Sequence, residues 1–142
     1  MSDKIIRVGT GILLFNDKNQ FLMGKRKGSH GEGMWGLVGG YIEFGETFEQ
    51  AAKRETMEET GLTLTDFKVL ACASHFFDNG VKHDITIYCV GHIGTQMPRI
   101  MEPHKCEGWH FFDDWNNLPS PTFVPYQKDV SVAVIADYLK GN

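Results

Sequence analysis

Val8 to Phe15 is rich in apolar and β-branched residues and stops at Asn16-Asp17-Lys18-Asn19, a run of turn formers. Gln20 to Gly24 resumes the apolar pattern, which predicts a second strand paired with the first as a hairpin. The next stretch, Lys25 to Gly40, breaks the pattern: Gly24, Gly28, Gly31, Gly33, Gly36, Gly39 and Gly40 lie among Lys25, Arg26, Lys27 and His30. Glycine at that density predicts loops that turn tightly or approach something closely. A helix is predicted over residues 48–60. Thr47 and Gln50 have the capping-box spacing, and Gly61 stands where a left-handed residue ends a helix. Glu49 with Lys53 and Arg54 with Glu58 are i,i+4 pairs on it. Strand patterns follow at Thr63 to Ala73, Ile85 to Ile93 and Glu107 to Phe112. Pro125 to Leu139 reads as a terminal helix with Val130, Val134 and Leu139 on one side. Strands interrupted by one helix and closed by another predict a mixed α/β sandwich.

A length of 142 residues without linker or repeat predicts one domain over 1–142. Hydrophobic residues at 42% are enough for an ordinary core. The net charge of −4 argues against a general binder of nucleic-acid polymers, which would carry a basic excess. Cys72, Cys89 and Cys106 form no CxxC pair, so buried free thiols are expected rather than a zinc site or a disulfide framework. Ile12-Leu13-Leu14-Phe15, the longest pure aliphatic and aromatic run, is far too short to span a membrane. The polar start Met1-Ser2-Asp3-Lys4 has no apolar signal region behind it, so a cytoplasmic protein with no membrane partner is expected.

Charge becomes informative once it is placed. Residues 40–62 hold six of the eighteen acids, Glu43, Glu46, Glu49, Glu55, Glu58 and Glu59. With Lys53 and Arg54 they account for the net charge of the whole chain. On a helix Glu55, Glu58 and Glu59 share a sector of roughly 100°. Like charges at these spacings repel, so they either splay into water or hold a hard cation such as Mg²⁺ between them.

The segment reads Gly40, five residues, Glu46, seven residues, Arg54-Glu55, then Glu58-Glu59 and Gly61-Leu62. This resembles the Nudix box at every fixed position. Only the first bulky apolar position departs, holding Thr56, and a slight change in packing is expected there. Lys25-Arg26-Lys27 before the box, Gly39 to Glu46 within it and Glu102 to Trp109 after it are similar to the MutT-like nucleotide pyrophosphohydrolases, a subgroup that includes plant cytosolic and human thiopurine-nucleotide enzymes.

The resemblance implies a Nudix-fold α/β/α sandwich with a mixed β-sheet and a loop-helix-loop metal site. Its metal ligands would be Glu55, Glu58, Glu59 and the carbonyl of Gly39, and its cofactor Mg²⁺, with Mn²⁺ as a substitute. Glu58 or Glu59 would serve as the base, Arg54 would orient a box carboxylate, and Glu46 would brace the loop. A further carboxylate from a later loop falls to Glu102 or Glu107, since His104 stands where close members carry Glu. Arg26 matches the family's phosphate-contacting arginine. The 28–38 loop, with Trp35 and Leu37, and the 115–124 segment would line the base pocket, with Trp35, Phe76, Phe77 or Phe123 as stacking partners.

The implied activity is Mg²⁺-dependent hydrolysis of (deoxy)nucleoside triphosphates to monophosphate and pyrophosphate, a nucleotide-pool sanitation role that would include oxidised purines such as 8-oxo-dGTP. The partner is then a small nucleotide, and a homodimer is an option because subgroup members pair. An ADP-ribose or nucleotide-sugar pyrophosphatase is the alternative, and a non-catalytic nucleotide-sensing module is a third reading.

Overall fold

In a computed structural model, described over residues 4–28, 32–77, 79–115 and 117–122, seven strands form one sheet. The elements are β1 (Ile6–Asn16), β2 (Phe21–Arg26), β3 (Trp35–Gly36), β4 (Val38–Tyr41), α1 (Phe48–Thr60), β5 (Thr65–Phe77), β6 (Lys82–Gly94) and β7 (Cys106–Phe112). The strand order is β3-β2-β1-β6-β5, with β4 also paired to β1 and β7 to β2. β1 runs parallel to β6 and every other pairing is antiparallel, so the sheet is mixed as expected.

β1 is buried without a break from Thr10 to Phe15, which explains why its apolar pattern does not alternate with polar residues. Its side chains still divide between the two faces with a period of two. Ile12 and Leu14 pack with Leu22, Val38, Leu62, Leu64, Ile93 and Ala52 of α1. Leu13 and Phe15 pack on the opposite face with Phe21, Met23, Leu37, Tyr88, Val90 and Trp115. One sheet therefore carries core on both faces, and α1 covers the first. The terminal helix expected at Pro125 to Leu139 lies outside the described residues.

The caps of α1 form as its sequence predicts. The Gln50 amide donates to the Thr47 hydroxyl (3.1 Å), and the Thr47 amide donates to the Gln50 side chain (2.9 Å). Gly61 closes the helix at φ 73°, its amide donating to the Met57 carbonyl. The buried stripe of α1 is Ala51, Ala52, Thr56 and Thr60, all small, so the helix lies close against the sheet. Thr56 is fully buried, and its hydroxyl has no hydrogen-bond partner among the described residues.

Two expectations need correction. The glycine-rich stretch is not all loop, because β3 and β4 lie within it. Gly28 and Gly33 have positive φ, whereas Gly36, Gly39 and Gly40 are strand residues outside that region. Gly39 is required for close approach instead: a Cβ there would collide with the Thr10 carbonyl of β1. The cysteines are not uniformly buried either. Cys89 is buried and Cys106 half-buried, but Cys72 is exposed on β5, an edge strand with few fully covered positions. No described helix is long and apolar enough to cross a membrane.

Candidate active site

A turn leads into α1, with Glu46 N–H donating to the Glu43 carbonyl and Gly45 at φ 89°. Glu46 returns a carboxylate oxygen to the Glu43 amide (2.8 Å), which ties the loop to itself. Two turns into the helix, Arg54 grips the same carboxylate with both arms, Nε to Oε2 at 2.7 Å and Nη2 to Oε1 at 2.9 Å. Its remaining donors reach Glu55 (2.8 Å), Glu58 (3.3 Å) and the Tyr41 carbonyl (3.0 Å). The Arg54 hydrogen bond and the Glu43 amide hold the Glu46 carboxyl down at about 2. The guanidinium is correspondingly harder to deprotonate, chiefly through Glu46. Arg54 thus ties Glu46, Glu55 and Glu58 to one guanidinium.

The other corner of the box has no such compensation. Glu59 accepts one hydrogen bond from the Gly39 amide (3.2 Å). Burial raises its pKa first, then a hydrogen bond shared with Glu55 and the charges of Glu55 and Glu102. Glu55 fills the space above Gly40, where any Cβ would collide with its carboxylate. Glycine at position 40 thus lets the helix carboxylates come down onto β4.

These groups line a cleft of about 750 Å³. Its charged lining is Glu43, Glu55, Glu58, Glu59 and Glu102 together with Lys25, Arg26, Lys27, Arg54 and Lys105. Glu102 lies 3.7 Å from Lys105, while Glu107 pairs with Lys25 at 3.9 Å and does not line the cleft. Glu102 is therefore the later-loop acid placed at the site. His104 also lines the cleft.

Leu37 lines the cleft, but Trp35 does not: it packs edge-on against His110 (5.3 Å) and Phe112 (5.4 Å). Phe76 stacks on His83 (4.5 Å) and Phe77 lies beside His75, both away from the cleft lining; Phe123 is outside the described residues. Two rings that the sequence reading did not assign to the site do line it, Tyr41 and Trp109. The Trp109 ring lies where a Gly24 Cβ would sit, 2.5 Å away, and Gly24 pairs with Trp109 across β2 and β7. Only that cross-strand register links the two residues, and it cannot be read from either strand alone.

No group of three or more His, Cys, Asp or Glu side chains stands ready to hold a metal ion among the described residues. The donor chemistry nevertheless fits a hard divalent cation. Glu55 and Glu59 crowd one another at the floor of the cleft, a repulsion that positive charge would relieve, and every candidate donor is an oxygen.

Acids of a loop-helix-loop and cations of the β2 strand end line one cleft, a donor set of the kind a phosphate-anhydride hydrolase needs. The NUDIX domain family matches residues 5–131, and the chain belongs to that family, as a MutT-like Nudix hydrolase that cleaves pyrophosphate bonds. The RNA pyrophosphohydrolase of Vibrio vulnificus (strain YJ016) is 41% identical over 142 residues, covering 87% of this chain and 79% of that protein. The crystal structure of a MutT NUDIX hydrolase from Burkholderia pseudomallei superposes with a TM-score of 0.79 at 28% identity, over 92% of this chain and 98% of that one. The NUDIX domain of Shewanella oneidensis NrtR, solved with ADP ribose, shares the fold at a TM-score of 0.61 and 18% identity, over 79% and 74% of the two chains. Nudix enzymes use divalent metal ions.

Proposed function

We propose that the protein hydrolyses nucleoside triphosphates to monophosphate and pyrophosphate with Mg²⁺, Mn²⁺ serving as a substitute, in a cytoplasmic setting. Purine deoxynucleotides, oxidised dGTP included, are the leading substrates. The observation that carries this reading is one cleft lined by five glutamates, Glu43, Glu55, Glu58, Glu59 and Glu102, and by the cations Lys25, Arg26, Lys27, Arg54 and Lys105. Its volume of about 750 Å³ suits one nucleotide.

Glu55, Glu58 and Glu59, with the Gly39 carbonyl, would hold the metal, which supplies charge neutralisation for the polyphosphate and a more acidic bound water. Arg54 keeps Glu55 and Glu58 turned inward, and Glu46 keeps Arg54 in place. Glu58 or Glu59 would accept the proton from the attacking water. Arg26 and its lysine neighbours would bind phosphate oxygens.

A second reading is favoured by the relatives named RNA pyrophosphohydrolase: the triphosphate would be the 5′ end of an RNA. Product analysis with Mg²⁺ across dNTPs, 8-oxo-dGTP, ADP-ribose and a 5′-triphosphorylated oligonucleotide decides between them, with Glu59→Gln as control. Monophosphate and pyrophosphate from a free triphosphate, absent in the variant, are expected. Turnover of the oligonucleotide alone would establish the second reading, and turnover of ADP-ribose alone would overturn both.

A further inference from the structure

The last turn of α1 carries Glu58 and Glu59, and a stretch of chain distant in sequence closes it. Thr60, next to Glu59, belongs to the final turn, whose carbonyls have no partner within the helix. Its carbonyl accepts the Arg99 amide (2.9 Å), which comes from the loop between β6 and β7. The Arg99 guanidinium lies over Gly61, where a Cβ would come within 2.7 Å of Nη2. Just beyond the helix, the Gln96 side chain holds the peptide groups of Thr63 in both directions. Its Oε1 accepts the Thr63 amide (3.0 Å), and its Nε2 donates to the Thr63 carbonyl (2.9 Å). The same Nε2 donates to the Ile93 carbonyl (2.9 Å) near the end of β6. The carboxamide thus uses its oxygen and both its N–H groups, and it ties the exit of α1 to the end of β6.

The other end of this loop is fastened beside the cleft. The Lys105 and Cys106 amides both donate to the Glu102 carbonyl (2.9 and 3.1 Å), and the Lys27 amide donates to the Lys105 carbonyl (2.8 Å). Glu102 therefore stands between two anchors. It is three residues on from Arg99, a reach of at most about 11 Å, and Pro98 and Pro103 stiffen the stretch with their fixed φ. Glu102 lines the cleft with Glu59, and its charge is among those that raise the Glu59 pKa. Gln96 itself is exposed and is not among the residues lining the cleft, so any influence it has there passes along the loop.

We propose that Gln96 is a positioning residue for the site: by clasping Thr63 it fixes the 96–102 segment onto the end of α1 and so sets Glu102 against the helix carboxylates. The proposal rests on the reading of this cleft as the metal-dependent hydrolytic site. Helix and loop then move as one body, and the acids they contribute keep one spacing.

The test compares wild type, Gln96→Ala, Glu102→Gln and the double variant. In metal-free protein, the Lys105 and Cys106 amides that close the Glu102 turn should exchange hydrogen about tenfold faster in Gln96→Ala, while the amides of β1 stay within about twofold. Mn²⁺ alone, titrated calorimetrically, should bind about 3–10-fold more weakly to Gln96→Ala than to wild type. In the Glu102→Gln background the same change should leave Mn²⁺ affinity within about 1.5-fold, because the residue it positions is already gone. Unchanged exchange at Lys105 and Cys106, an unchanged Mn²⁺ affinity, or an equal loss of affinity in both backgrounds would overturn the proposal. A wild type that binds no Mn²⁺ and cleaves no pyrophosphate bond would sink the functional reading separately, since the exchange comparison needs neither metal nor substrate.

Discussion

Glu46 and Glu59 belong to one box and stand near opposite ends of it, yet their surroundings push them in opposite directions. Glu46 meets a bidentate guanidinium and a backbone amide and is held ionised. Glu59 meets burial, another carboxylate and a single amide, and is inclined to keep its proton. The first arrangement is complete as it stands, so its consequence is geometry. The second is unfavourable as it stands and gains when positive charge or a proton arrives, so its consequence is chemistry. The two acids of one box are thus held in opposite protonation tendencies by their neighbours alone.

The largest effect should come from the reactive corner. Glu59→Gln is expected to lower kcat by about 10²–10⁴-fold while the thermal transition shows a folded protein, measured by pyrophosphate release. The bracing corner should cost less. Glu46→Ala frees Arg54 to swing away from Glu55, and a loss of about 10–100-fold is expected in activity or metal affinity. Equal losses from the two variants would erase the distinction between the corners.

The two carboxyls also predict opposite pH trends in the metal-free protein. Glu46, with its folded pKa lowered from 4.5 to about 2, adds stability that is present above about 4.5 and lost as pH falls through that interval. Glu59, raised above 4.5, does the reverse: as pH climbs past that value the unfolded chain releases a proton that the folded one keeps, so stability falls. Melting curves of the metal-free protein should therefore decline from about pH 5 to 8, and Glu59→Gln should flatten that decline. A profile unchanged by Glu59→Gln would mean that Glu59 is not the strained group.

A smaller effect is expected at Thr56, whose buried hydroxyl has no partner among the described residues. Thr56→Val should stabilise by about 1 kcal/mol in denaturant titration and leave kcat alone. The smallest belongs to the exposed Lys53–Glu49 pair at 2.9 Å, where Lys53→Ala should change stability by no more than about 0.5 kcal/mol.

Much of the scaffold was legible along the chain because its signals are local. The capping box at Thr47 and Gln50, the Gly61 stop and the apolar run of β1 each act within a few residues, and each forms as expected. The glycine-rich stretch hid the strands β3 and β4, because composition cannot say which glycines turn the chain and which make room for a neighbour. It supplies positive φ at Gly28 and Gly33, but at Gly39 and Gly40 it supplies room for neighbours distant in sequence. The same limit hid Trp109 and Tyr41, whose places follow from registers with β2 and β1.

By itself, then, the sequence determined which charged groups stand together: a helix must display Glu55, Glu58 and Glu59 on one sector, with Arg54 and Glu46 at fixed spacing from them. Tertiary structure decided what each one experiences. It set Glu46 against a guanidinium and Glu59 against a carboxylate, and it brought Glu102 rather than Glu107 to the cleft. Protonation and reach depend on burial and on neighbours across the sheet, and those are properties of packing rather than of local order along the chain.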